Sequence, residues 1–187
     1  MIFYLSKMSI LTYIYNQFYD NKVVVPNNTQ FFCNSKNITK LDLSNCPNLT
    51  ILWCDYNQLT ELDLSNCPNL TELCCDYNQL TELDLQNCPN LTNLWCSGNQ
   101  ITELDLSKCP NLTQLECDNN KITELDLQNC SNLTHLVCND NKITELDISQ
   151  NDKLVELDFD YGVYQNIEQY RLWCQENFTY KQQYLLK

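Results

Sequence analysis

Glycine is almost missing from this chain: Gly98 and Gly162 are the only two in 187 residues. Two isolated glycines cannot form a phosphate-cradling loop. Histidine is rarer still, and His135 has no cysteine or serine at a spacing that would make a nucleophile–base pair. Positive charge is scarce as well. Eleven Lys and Arg face 24 Asp and Glu, a net charge of −13, and so acidic a surface repels phosphate backbones and anionic headgroups. Nucleic acid is therefore excluded as a partner. No stretch approaches the roughly 20 uninterrupted apolar residues of a membrane span. The apolar start, MIFYLSKMSILTYIYNQF, lacks a basic leader, is broken by Lys7 and meets no small-residue cleavage site before VVVP. It reads as a cap over the end of a soluble fold. These absences predict no enzyme and no cofactor.

What is present is a repeat. An apolar content of 43% is enough for one continuous core, and from Asn28 to Tyr161 the apolar residues recur every 21 positions. Units such as LTELCCDYNQLTELDLQNCPN divide into two similar halves, LxxLxCxxNx and (L/I)TxLDLxxCxN. Alternation of apolar residues in each half predicts two short extended segments per coil. About six coils, stacked at about 4.8 Å, make a rod on the order of 30 Å long. One coil cannot bury its own faces, so stability must come from stacking, and the ends need covers. The expected organisation is a cap over 1–27, a solenoid over 28–161 and a helical cap over 162–187. In the last, Ile167, Tyr170, Arg171 and Cys174 share helical spacing behind Asn166 as N-cap.

With glycine missing, asparagine is expected to take the left-handed turn positions, because it tolerates that backbone and bonds it locally. Asn57, Asn78, Asn99, Asn120 and Asn141 form a column suited to satisfying turn amides and carbonyls.

Thirteen cysteines raise the question of disulfides or metal. Their positions answer it. Cys33, Cys54, Cys75, Cys96, Cys117 and Cys138 form one column, and Cys46, Cys67, Cys88, Cys109 and Cys130 another that ends at Asn151. Thiols stacked singly, pointing the same way, strain a disulfide and lack the paired spacing of metal ligands. They read as small core hydrophobes, with no metal, and the odd total favours a reducing, cytoplasmic compartment.

LTELCCDYNQL resembles the LxxLxLxxNxL signature of leucine-rich repeats, with Cys75 in the third apolar slot, and LTELDLSNCPNL resembles its cysteine version. The nested 21-residue form is similar to the IRREKO class of bacterial and large-virus proteins and covers about 70% of the chain. The resemblance implies a parallel-strand solenoid and protein binding on diverse targets, some of its members being pathogen proteins that act inside host cells.

Two faces compete for a functional role. In the second half the outward residues are fixed: Glu61 with Asp63, Glu82 with Asp84, Glu103 with Asp105, Glu124 with Asp126 and Glu145 with Asp147. Such columns fit a solvated face that prevents lateral pairing, or a cation-binding surface on a structural rod. In the first half the outward columns vary and carry aromatics. Trp53, Tyr56, Glu72, Tyr77, Trp95, Gln114, Glu116 and His135 are the expected partner-binding residues, since exposed aromatics among carboxylates on a rigid face have hot-spot composition. The expected function is a monomeric protein-interaction module. The NLT triplets at Asn48, Asn69, Asn90, Asn111 and Asn132 match the glycosylation pattern but arise from the repeat's own turn.

Overall fold

The computed structural model describes residues 22–160. Nine three-residue strands occur: β1 Lys22–Val24, β2 Gln30–Phe32, β3 Lys40–Asp42, β4 Ile51–Trp53, β5 Glu72–Cys74, β6 Asn93–Trp95, β7 Gln114–Glu116, β8 His135–Val137 and β9 Glu156–Asp158. Seven of them stack into one parallel sheet in the order β2-β4-β5-β6-β7-β8-β9, while β1 pairs with β3 in a second, two-stranded sheet. The result is a solenoid of about seven turns of 21 residues, with no helix among the described residues. The expected C-terminal helix lies outside those residues, as does Cys174.

Each strand is short because only its central residue faces inward. Leu52, Leu73, Leu94, Leu115 and Leu136 are fully buried, each in register with the next. The first-column cysteine follows in the core, and the three leucines or isoleucines of the second half, the second-column cysteine and the leucine of NLT close the coil around the same interior. Residues 22–27, within the expected N-terminal cap, continue the stack: Val23 and Val25 are buried, and the Val25 amide donates to the Asp42 carbonyl at 2.9 Å. Here the register couples Lys22 to Lys40 rather than residues 21 apart, so this half-coil has a tighter turn.

The second half of each coil corrects the expectation of two strands per coil. Beyond β3 it carries no strand. The chain enters with one inter-coil bond, as from the Gln79 amide to the Leu59 carbonyl at 2.8 Å, and then turns on itself. The Ser65 amide donates to Asp63 Oδ1 at 2.9 Å, the Cys67 amide to the Leu64 carbonyl at 3.0 Å and the Leu70 amide to the Cys67 carbonyl at 3.1 Å. Amides that would continue a ladder are satisfied within the coil, by the aspartate that the sequence places two residues upstream.

The asparagine expectation needs dividing. The recurrent left-handed residue is the one before the asparagine column, at Ser35, Tyr56, Tyr77, Gly98, Asn119 and Asp140, with φ between 50° and 65°; the first coil adds a second at Asn37, with φ 57°. The column itself does the bonding. Asn78 Nδ2 donates to the carbonyls of Cys54, Cys75 and Asp76, while its Oδ1 accepts from the Leu59 amide at 3.0 Å. Asn57, Asn99 and Asn120 repeat the arrangement.

Candidate interaction face

The strands present their first and third residues on one side. Parallel register aligns Ile51, Glu72, Asn93, Gln114 and His135 as one column and Trp53, Cys74, Trp95, Glu116 and Val137 as the next. The left-handed turn after β4 and β5 then carries Tyr56 and Tyr77. Trp53 is 38% exposed, Tyr56 56% and Tyr77 47%, whereas Glu72, Trp95, Gln114, Glu116 and His135 are half-buried. Register places six of the eight expected residues on this side, and Tyr56 and Tyr77 lie in the turns that follow β4 and β5.

Trp53 packs edge-on against Phe32, with ring centroids 5.2 Å apart. Trp95 turns the other way and donates from Nε1 to Glu116 Oε1 at 3.1 Å. Asn93 Nδ2 likewise donates to Gln114 Oε1 at 2.7 Å. His135 Nδ1 meets Thr134 Oγ1 at 2.7 Å, and its Nε2 lies 3.8 Å from Glu156 Oε2. The Glu72 amide donates to the Thr50 carbonyl at 3.0 Å, while its carboxylate has no hydrogen-bond or ion-pair partner among the described residues.

The tyrosines form a second group. Tyr56 and Tyr77 stack with centroids 4.6 Å apart and planes 14° from parallel. Tyr77 in turn lies over Gly98, where an added Cβ would come within 2.6 Å of its ring. Glycine therefore serves Gly98 twice, by its φ of +65° and by admitting the ring.

Sequence reasoning missed Phe32 and Asp76. Phe32 stands 21 residues before Trp53 and is 51% exposed, so the repeat register already carried that signal. Asp76 accepts from the Ser97 amide at 2.6 Å and from Cys74 Sγ at 3.7 Å. Burial pushes its carboxyl up to about 6, with the nearby Glu116 adding to the shift and the Ser97 amide opposing it.

The twelve described cysteines are all free thiols, and all but Cys74 are buried. Burial holds Cys54, Cys75, Cys96 and Cys117 far above the ordinary thiol range. The second column is raised to about 11 at Cys67 and about 12 at Cys88, again chiefly by burial. Its thiols face carbonyls one coil back, as from Cys130 Sγ to the Cys109 carbonyl at 3.8 Å. Where the column ends, Asn151 Nδ2 takes the same place, donating to the Cys130 carbonyl at 2.9 Å. A neutral, inward-facing thiol is a weak nucleophile.

Comparison with known proteins agrees with this architecture. The family model for leucine-rich repeats in two copies matches residues 47–87 and 89–129. The chain carries leucine-rich repeats. Among solved structures, the functional domain of InlJ from Listeria monocytogenes, described as including a cysteine ladder, is 42% identical over 71% of this chain and 34% of that one, with a TM-score of 0.56. A leucine-rich-repeat protein of Leptospira interrogans gives 28% identity, 71% and 37% coverage and a TM-score of 0.67. YopM from Yersinia enterocolitica gives 28%, 78% and 32% with a TM-score of 0.67. This chain thus spans about a third of the length of these relatives. No curated protein matches it.

The other sides of this leucine-rich-repeat coil are occupied structurally. On the acidic side each aspartate caps its own turn, which holds Asp42, Asp63, Asp105 and Asp147 below the usual carboxylate range. Glu61 pairs with Lys40 at 2.5 Å. No three metal-ligating side chains converge among the described residues. On a third side, a groove of about 1000 Å³ runs from Asn27 and Thr29 to Thr134 and Lys153. Its donors are committed to the stack: Thr71 Oγ1 to the Thr50 carbonyl at 2.9 Å, and Asn69 Nδ2 to the Pro47 carbonyl at 2.8 Å. Among the described residues no helix is long and apolar enough to cross a membrane.

Proposed function

We propose that this leucine-rich-repeat chain is a non-catalytic module that, as a monomer, binds a protein partner on its strand face through Trp53, Tyr56, Glu72, Tyr77, Trp95, Gln114, Glu116 and His135. One observation carries the reading. The left-handed turn position is filled by Ser, Gly, Asn or Asp in four of the coils but by tyrosine at Tyr56 and Tyr77. A bulky residue there costs on the order of 1–2 kcal/mol, and both rings remain exposed. Strain of this kind is retained where the side chain has work outside the fold. Exposed Trp53 and Phe32 extend the same patch, and leucine-rich-repeat proteins are typically non-enzymatic interaction modules.

The test is affinity purification with mass spectrometry, comparing the native chain with a folded Trp53→Asp/Trp95→Asp variant and with Tyr56→Asn/Tyr77→Asn. Loss of the same specific partners from both variants is expected; their retention would remove this face from consideration. The rival reading, a structural rod holding cations on the Glu/Asp columns, has less support because those aspartates already cap turns. It requires millimolar calcium to raise the melting temperature.

A further inference from the structure

We propose that the strand face contains a slot for a single arginine side chain of the partner protein, centred over Cys74 between Trp53 and Trp95 and closed at one end by Glu72. This rests on the strand-face reading above and specifies what that face takes.

The slot follows from the directions in which its neighbours lean. In register, Cys74 sits between Trp53 and Trp95. The two indoles stand two strand spacings apart, about 10 Å. Trp53 is drawn toward the N-terminal end by its edge contact with Phe32. Trp95 is drawn toward the C-terminal end by its bond to Glu116. Asn93, the neighbour of Glu72 on that side, is likewise committed to Gln114. The column therefore opens above β5, where the small, half-buried Cys74 forms the floor.

Glu72 shares that strand face two residues away, and its carboxylate, between Ile51 and Asn93, has no partner among the described residues. On the far side stands Asp76, half-buried and already holding the Ser97 amide. An opening with indole walls and a half-buried, unpaired carboxylate favours a flat cation. A guanidinium can lie on an indole face and direct its N–H groups to the carboxylate, which an ammonium does less well. The net charge of −13 favours such a basic partner over an acidic one.

The experiment titrates acetyl-Gly-Arg-Gly-amide into the full chain at physiological salt and follows the indole N–H resonances of Trp53 and Trp95 by NMR. The neutral citrulline analogue is the control. Saturable shifts of both indoles are expected with arginine, weakened by about tenfold or more with citrulline and with Glu72→Gln. Cys74→Trp places in the slot the residue that the neighbouring coils already carry there, so it fills the opening while enlarging the apolar face. It is expected to abolish the shifts. Absence of saturation, equal response to citrulline, or an undiminished response of Cys74→Trp would overturn the slot. Partner capture separates the two readings. Partners retained by Cys74→Trp but lost by Trp53→Asp/Trp95→Asp overturn the slot and leave the strand face standing. Partners retained by the double variant overturn the strand face, and the peptide titration still judges the slot.

Discussion

The two sides of each coil start from nearly the same pattern of leucine and cysteine yet solve their hydrogen bonding differently. On the strand side, amides pair with the next coil and the asparagine column ties three carbonyls together at each of the five levels from Asn57 to Asn141. On the acidic side, aspartate turns each segment back on itself and the coils are linked by few main-chain bonds. The side with the stronger frame carries the variable, aromatic and strained residues. The side with the weaker frame carries the fixed ones. A rigid ladder can tolerate unusual outward residues because its backbone bonds do not depend on them.

Removing the frame should give the largest effect. Asn99→Ala leaves the Leu80 amide and the carbonyls of Cys75, Cys96 and Ser97 without their bridge, in a buried site. A loss of about 3 kcal/mol or more is expected in chemical denaturation. Glu103→Gln, on the opposite side of the same coil, should stay within about 0.5 kcal/mol. Equal losses would erase the distinction between the sides.

Gly98→Ala comes next. The added Cβ collides with the Tyr77 ring and must sit at positive φ, so about 1–2 kcal/mol is expected. Combining it with Tyr77→Asn should recover the part due to the collision, read from a double-mutant cycle. A cycle with no coupling would show that the ring does not rest on Gly98.

The smallest effect distinguishes the sides by pH. Asp76 on the strand face has its carboxyl raised from 3.8 to about 6, mainly by burial, so folding favours its neutral form. That stability is fully present below about pH 3.8 and is lost as pH rises through about 6. Asp63 and Asp147 are shifted down by their turns, so their contribution is present above pH 3.8 and lost as pH falls through their lower folded values. Asp76→Asn is therefore expected to be more stable than the native chain at pH 7 by about 1 kcal/mol, after allowance for solvent screening. The advantage should vanish near pH 4, as followed by thermal melts across that range. An advantage independent of pH would mean that Asp76 carries no such shift.

Much of this was legible because the repeat sets one register for everything. The buried leucines, both cysteine columns, the asparagine column and the membership of the strand face follow from the spacing of Leu52, Leu73 and Leu94. What the spacing could not convey is which groups satisfy which. Aspartate reads as outward charge in TELDLSN, and its claim on the Ser65 amide, which replaces a second strand, appears only in three dimensions. Tyr56 and Tyr77 read as ordinary surface aromatics, since nothing in DYNQ marks the tyrosine as the left-handed residue. The opposite leans of Trp53 and Trp95 depend on Phe32 and Glu116, whose identities break the repeat.

The inter-coil bonds of asparagine, threonine and cysteine repeat at fixed sequence separations, such as 21 for Thr71 to Thr50 and for Cys130 to Cys109. Length in such a protein is quantised. Duplicating or deleting one whole coil returns every donor to an equivalent acceptor, whereas inserting a single residue misaligns all of them at that level. The shorter step between β1 and β3 marks where this rule stops. A chain built this way can lengthen its contact surface by copying 21 residues at once, and choose what that surface touches by changing only a few outward residues in each copy.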